Sequence, residues 1–442
     1  MNIELKEHFT YLKLARFTTP SILAMIFISV YSIVDGFFVA NFAGTTPFAA
    51  LNIVWPFVMI LGSIGFMFGT GGSALVAKIS GEGKPQQAKE TFSLIVYAVI
   101  LIGIIFAVLG MLFLKPLLIA FGIDGLLLEE GLVYGHVLSF FIPLFMLQYV
   151  FNVLLVTAER PKLSFWVTFL AGVTNVVFDA LFLAVFHLGL VGAAYATVLG
   201  FVVGGILPLI YFIYPNKSKL RLGKTHFDGK ALLKACTNGV SEFMSTISIS
   251  VVFTLYNYQM LKYIGESGVV AYGIIAYICF IFLAVFIGYS NGCAPIISYH
   301  YGAQNKTELK SLFHKNLIMI AFAAVLLTLC AEIFAEPLSK IFIRDDAVLL
   351  KMTVSGFRIY AISFLLSGFT IYASALFTAL NNGIVSATIA TLRTLFFECT
   401  AVLIMPILFG ISGVWSAIIV AEFMAVLLSI VFFVKLQKRY GY

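Results

Sequence analysis

Two acidic residues stand inside runs that are otherwise apolar: Asp35 in YSIVDGFF and Asp179 in TNVVFDALF. An ionised side chain at mid-bilayer depth costs at least about 2.5 to 3.5 kcal/mol on insertion scales, so a membrane segment that keeps one has a use for it. Tyr31 precedes Asp35 by one helical turn, close enough on the same face to hydrogen-bond the carboxyl. Asn175 precedes Asp179 by the same spacing, Gln148 and Asn152 repeat it in another segment, and Thr197 adds a hydroxyl in AYATVLG. Asp35, Asn152, Asn175, Asp179 and Thr197 make an oxygen-rich set nearly free of nitrogen cations, which is the chemistry of a site for H⁺ or Na⁺. Two carboxylates that adjoin in low dielectric cannot both remain ionised without a cation, and this suits them to coupling. An Asn inside a helix also serves as interhelical glue, the plainer role for Asn175.

The elements that must hold these residues follow from composition. Of 442 residues 61% are hydrophobic and 11% charged, too little polar surface for a soluble monomer. Spanning about 30 Å of hydrocarbon as helix takes roughly 20 apolar residues. Runs of that kind fall at about 17-42, 48-76, 92-114, 132-156, 163-186, 190-214, 236-262, 267-294, 313-335, 353-379, 384-408 and 411-435. The fold class is therefore all-α integral membrane, with twelve transmembrane helices in two six-helix lobes. The N-terminal MNIELKEHFTYLKLAR, with its apolar stripe Leu5, Phe9 and Leu12, reads as an interfacial lead-in and not as a cleaved signal. Cys236, Cys279, Cys293, Cys330 and Cys399 fall inside or at the ends of apolar segments without metal-site spacing and are assigned to packing.

The net charge of +7 follows the loops. With a cytoplasmic N-terminus, twenty Lys and Arg lie on inward segments, among them Lys217 in the central loop. Six, among them Arg344, lie outside, and Arg393 lies within a span. The positive-inside rule then places both termini in the cytoplasm and explains the basic balance without a nucleic-acid partner.

Shifting the sequence by 221 residues superposes Gly44 on Gly265, Gly71 on Gly292, Gly81 on Gly302, Gly135 on Gly356, Gly189 on Gly410 and Gly192 on Gly413. Composition predicts about 1.5 such matches for one register. Lys89 also meets Lys310, Pro116 meets Pro337, Phe121 meets Phe342, Asp124 meets Asp345 and Ala196 meets Ala417. Six spans per repeat make the repeats parallel, with a cleft expected between them. The expected organisation is an N-terminal lobe over 1-214, a cytoplasmic linker over 215-230 and a C-terminal lobe over 231-442.

The carboxylates do not repeat: Asp35 aligns with Tyr256 and Asp179 with Thr400. The second half carries Glu242 near the start of span seven, Arg393 and Glu398 in span eleven, and Glu422 in span twelve. Glu242, Arg393 and Glu398 form a candidate second polar site. Arg393 and Glu398 are five residues apart, not one α-helical turn, so a lobe contact is the plainer role, and Glu242 is read equally as a site residue and as one too near the cytoplasmic edge to be a site. Pro20 lies fifteen residues before Asp35, where a bend of span one would be linked to the state of that carboxyl. The 45 Phe, 20 Tyr and 12 Met mostly face lipid, and the remainder suit an adaptable cleft wall.

No GxxxxGK[ST], HExxH or GxSxG occurs, and the histidines lack metal-ligand spacing. The chain is therefore read as no enzyme, with no cofactor and no resident metal, Na⁺ at Asp35 and Asp179 being the exception the site chemistry allows.

Several features together resemble the multidrug and toxic compound extrusion (MATE) transporters. These are the twelve spans in two sixes, the loop Gly81 to Lys89 echoed by Gly302 to Lys310, Asp35, the Asn175 and Asp179 pair, and Gly189, Gly192, Ala196 and Thr197. The resemblance covers nearly the whole chain and is nearest to the bacterial DinF-like and MepA-like branch. It implies a MATE/MOP-type fold and a bacterial inner-membrane location. It also implies a cation site in the first lobe at Asp35, Asn152, Asn175, Asp179 and Thr197, with Tyr31 and Gln148 supporting and Pro20 as the bending proline. Another branch of the family uses carboxylates in spans seven and ten, and span ten here has none. The expected function is export of lipophilic, cationic organic compounds by H⁺ or Na⁺ antiport through alternating access, by a monomer in the lipid bilayer. The alternative is a flippase for a lipid-linked glycan, which would present a basic cavity. An intramembrane transferase would need an acidic metal motif or a catalytic His near the surface, and paired carboxylates suit occluded binding better than a channel.

Overall fold

The computed structural model describes residues 3–216, 218–343 and 346–442; Lys217, Arg344 and Asp345, used in the loop charges and the repeat above, lie outside the described residues. The first half comprises α1 (Tyr11–Phe38), α2 (Thr45–Gly81), α3 (Pro85–Ala120), α4 (Gly125–Phe140), α5 (Ile142–Thr157), α6 (Pro161–Asp179) and α7 (Gly189–Ile213). The second comprises α8 (Gly229–Tyr263), α9 (Glu266–Gly302), α10 (Lys306–Phe342), α11 (Ala347–Ala361), α12 (Phe364–Ala379), α13 (Gly383–Thr391) and α14 (Cys399–Tyr440). Among the described residues there is no strand.

Fourteen helices reduce to twelve spans by two local devices. The pairs α4/α5 and α11/α12 each bend, by 54° and 50°, and each pair taken together is long and apolar enough for one span. In the other direction, helix runs almost without interruption from Gly383 to Tyr440, 58 residues. At 1.5 Å per residue that is about 87 Å, far more than one bilayer. The chain turns at Gly410, whose φ of 58° and ψ of −136° favour glycine. Asn382 consequently donates to the Tyr440 hydroxyl at 2.9 Å, bringing the two ends of the run together. Gly189, its partner in the 221-residue register, has φ 62°.

The register is visible in packing as well. At Gly81 of α2 an added Cβ would lie 2.0 Å from the Tyr299 carbonyl of α9, and at Gly302 of α9 it would lie 2.0 Å from the Lys78 carbonyl of α2. Tyr299 is itself Lys78 shifted by 221, so the two helices cross through one contact used twice. Likewise α1 packs on α9 while α8 packs on α2.

The terminal segments differ from the sequence expectation. Leu5 and Phe9 are 2% and 0% exposed, buried in protein and not in a lipid surface, while Leu12 remains 60% exposed. The Leu5 amide donates to Glu159 Oε1 at 2.9 Å, between α5 and α6. The Phe9 amide donates to Glu308 Oε1 of α10 at 2.9 Å, and Lys315 Nζ donates to the Phe9 carbonyl at 2.6 Å. The N-terminal segment is thus a strap that ties the two halves at one end of the molecule. Tyr442 packs on Phe313 of α10, so both termini occupy that end. The segment between α7 and α8 runs along α3, with Gly223 donating to Ser93 and Thr225 to the Glu90 carbonyl.

Candidate functional site

α1 runs continuously through Pro20. Asp35 lies 24 residues beyond Tyr11, about 36 Å along the helix, and so belongs to the half of the span remote from the termini and not to its middle. Asp179 is the last residue of α6 and Asn175 lies one turn before it. Both helices pass into π turns just beyond their acids, Val39–Ala43 after α1 and Ala180–Val185 after α6. Such turns are frequent at functional sites.

In the fold the Asp35 and Asp179 carboxyls come into contact, and the Asn175 side chain adjoins Asp35. Asp179 is fully buried, and neither of its carboxyl oxygens has a hydrogen-bond donor. Asp35 Oδ1 and Asn175 Oδ1 are buried without partners too. Two carboxylates bring only acceptors to such a contact; it becomes a hydrogen bond when one of them carries a proton. Tyr134 of α4, 1% exposed, lies within electrostatic reach of both acids. Sequence reasoning missed Tyr134, since nothing in a tyrosine within a plain apolar run distinguishes it.

Asp35 opens on a cavity of about 210 Å³ whose polar lining includes Tyr31, Gln148, Asn175 and Thr197. Its walls are aromatic: Phe145 packs on Trp55, Tyr149 and Phe201 with centroids 6.2, 5.1 and 4.6 Å away. Tyr277 of α9 closes it from the second half and is 46% exposed. Among the described residues no Lys, Arg or His lines this cavity. Close packing sets the lining. A Cβ at Gly172 of α6 would lie 2.6 Å from the Tyr31 ring, and one at Gly204 of α7 would lie 2.6 Å from the Gln148 side chain.

Some expected partners changed. Tyr31 lies beside both Gln148 of α5 and Asp35 in the cavity lining, and among the described residues no hydrogen bond joins its hydroxyl to the Asp35 carboxyl. Asn152 is turned toward α6, where its side-chain amide donates to the Thr168 hydroxyl at 2.8 Å, while its backbone carbonyl accepts from the Ser164 hydroxyl at 2.7 Å. It lies outside the cavity lining, as a strut between α5 and α6.

In the second half Glu242 stands about three and a half turns into α8. Arg393 does not pair with Glu398. Its Nε donates to Glu422 Oε1 of α14 at 2.9 Å and its Nη2 to the same oxygen. Ser367 and Thr370 of α12 donate to Glu422 at 3.0 and 2.7 Å. Residues Leu392–Glu398 form a π turn, so α-helical spacing does not describe which of them share a face.

Among curated proteins the chain is similar to the multidrug export protein MepA of Staphylococcus haemolyticus strain JCSC1435, 21% identical over 431 residues, covering 96% of this chain and 93% of the relative. It shares its fold with an outward-facing multidrug resistance MATE family transporter of the MOP superfamily, at TM-score 0.91 and 20% identity over 98% and 97% of the two chains. A MOP superfamily transporter from Pyrococcus furiosus, described as having a binding pocket of reverse polarity, aligns at TM-score 0.91 and 19% identity over 98% of both chains. The MatE family profile matches twice, at residues 20–181 and 242–404, once in each half. The chain is a multi-pass membrane protein that belongs to the MatE family.

Proposed function

We propose that this protein exports drug-like organic compounds by antiport, with a proton as the coupling ion and Asp35 and Asp179 as its site. The observation that carries the reading is the contact of the buried Asp179 carboxyl, neither oxygen of which has a donor, with the carboxyl of Asp35, which lines a cavity. A proton on either acid converts the contact from repulsion into a hydrogen bond, and removes the charge that would hold a cationic guest. Drug and proton then exclude one another, which is the condition for exchange. The halves 1-214 and 231-442, joined by 215-230, act as the two bodies of alternating access in a monomer.

An aromatic, acidic cavity without basic lining suits lipophilic organic cations. It does not suit the phosphates of a lipid-linked glycan. The loop charges support a cytoplasmic placement of both termini; in that orientation the cavity lies in the outer half of the membrane, where drug leaves as the proton enters. Multidrug export by the MepA relative and the multidrug MATE structure support the substrate class.

The test is efflux of ethidium from proteoliposomes with pH and sodium gradients imposed separately. A pH gradient alone drives efflux in this reading. Efflux that needs sodium and ignores pH would instead place Na⁺ among the oxygens of Asp35, Asn175, Asp179 and Thr197.

A further inference from the structure

Glu398 is a buried acid outside the first-half site. It ends the π turn Leu392–Glu398 and is 8% exposed. Among the described residues its carboxylate makes no hydrogen bond and no ion pair. The guanidinium near it, Arg393, is committed to Glu422, which also receives the Ser367 and Thr370 hydroxyls. The cluster therefore sets two acids against one base, and Glu422 takes the base.

What else faces Glu398 is neutral. Tyr256 of α8, Tyr272 of α9, Tyr360 of α11 and the Cys399 thiol lie within electrostatic reach of it, and the Cys279 thiol is a neighbour of all three tyrosines. The Tyr256 and Tyr272 rings stack with centroids 4.6 Å apart and planes 10° apart. Tyr256 is fully buried, and its hydroxyl has no partner. An unpaired carboxylate and an unpartnered hydroxyl thus share one enclosed site within the membrane.

We propose that Glu398 is a second proton-binding site, separate from Asp35 and Asp179 and built by α8, α9, α11 and the π turn. The carboxylate accepts one proton to form a carboxylic acid; no other bond changes. The cluster then becomes electrically neutral, and the acid gains an O–H donor that the carboxylate lacks, for which the buried Tyr256 hydroxyl oxygen is a candidate acceptor. A proton fits better than a metal cation, because no group of three or more His, Cys, Asp or Glu that could hold a metal occurs among the described residues. Only the stoichiometric consequence, a second proton moved per drug, rests on the antiport reading.

Infrared difference spectra between acid and alkaline pH, taken on the purified protein in nanodiscs, read carboxyl protonation without transport. The carbonyl band of protonated acids contains a component that Glu398→Gln removes and Asp35→Asn keeps. Tyr256→Phe, which retains the acid, shifts that component in frequency. In proteoliposomes, with tetraphenylphosphonium as the probe, the unaltered protein moves two protons per drug cation and Glu398→Gln moves one. A Glu398→Gln spectrum identical to that of the unaltered protein overturns the site. An unchanged two-proton ratio overturns its part in coupling. The infrared component without any drug movement supports the site and removes the antiport reading alone.

Discussion

Asp35 of α1 and Asp179 of α6 meet carboxyl to carboxyl, with both oxygens of Asp179 buried and lacking a donor. Ionised together they repel; with one proton between them they bond. Asp179→Asn places an amide donor there permanently. The purified variant is expected to be about 1 to 2 kcal/mol more stable at pH 8, by thermal unfolding in detergent, the worth of one hydrogen bond. The unaltered protein gains stability on acidification as the pair closes, and the variant loses that part of the pH dependence.

Arg393 and Glu422 form the second buried charge arrangement, with Glu422 1% exposed. Arg393→Ala leaves Glu422 with two hydroxyls and no cation, and should cost about 3 to 5 kcal/mol of stability. Replacing both, Arg393→Met with Glu422→Met, removes the stranded charge and should restore most of the loss. Chemical-denaturant unfolding of the three variants measures it. A double variant no better than Arg393→Ala would show that the pair matters for more than charge balance.

The contact between Gly81 and Tyr299, mirrored at Gly302 and Lys78, leaves no space for a side chain. Gly81→Leu or Gly302→Leu should separate α2 from α9 at the end that holds the termini and lower stability by about 1 to 3 kcal/mol. Double electron–electron resonance between labels on the α2/α3 and α9/α10 turns would show the distance lengthened. Equal distances in variant and unaltered protein would contradict the crossing described.

The N-terminal strap depends on Glu308, which accepts from the Phe9 amide and contacts His8 Nδ1 at 2.6 Å. Glu308→Ala should raise hydrogen exchange at residues 5–9 about tenfold, matching the loss of a charged hydrogen bond worth roughly 1.5 kcal/mol. Charges at the strap's exposed side act in the same sense. Hydrogen bonds from Lys6 and Lys219 hold Glu4 below its ordinary range, and the Glu4 amide does so for Glu7. A depressed carboxyl contributes stability at neutral pH and loses it as pH falls through the folded-state value. Strap exchange should therefore quicken only in acid.

Much of this was legible in the sequence because membrane physics leaves few choices. Apolar run length fixed the spans, and the 221-residue register reached contacts such as Gly81 with Tyr299, because span ends restrict side-chain size. Asp35, Asn175, Asp179 and Thr197 were found because polar atoms in hydrocarbon need a reason. Asn152 was placed in the same set on helical spacing, which does not tell which neighbour a side chain turns to; Thr168 took it. Arg393 escaped for a related reason. Its acceptor lies 29 residues away on another helix, and its own helix has π geometry there. The burial of Leu5 and Phe9 was hidden because an apolar stripe reads alike whether it meets lipid or protein.

The most direct test of the account is ethidium efflux by Asp35→Asn in proteoliposomes under an imposed pH gradient, with matched amounts of folded protein. The amide cannot release a proton, so the account predicts efflux reduced more than tenfold, to the level of protein-free vesicles, a loss of over about 1.4 kcal/mol in the driving step. Undiminished gradient-driven efflux by Asp35→Asn would contradict it.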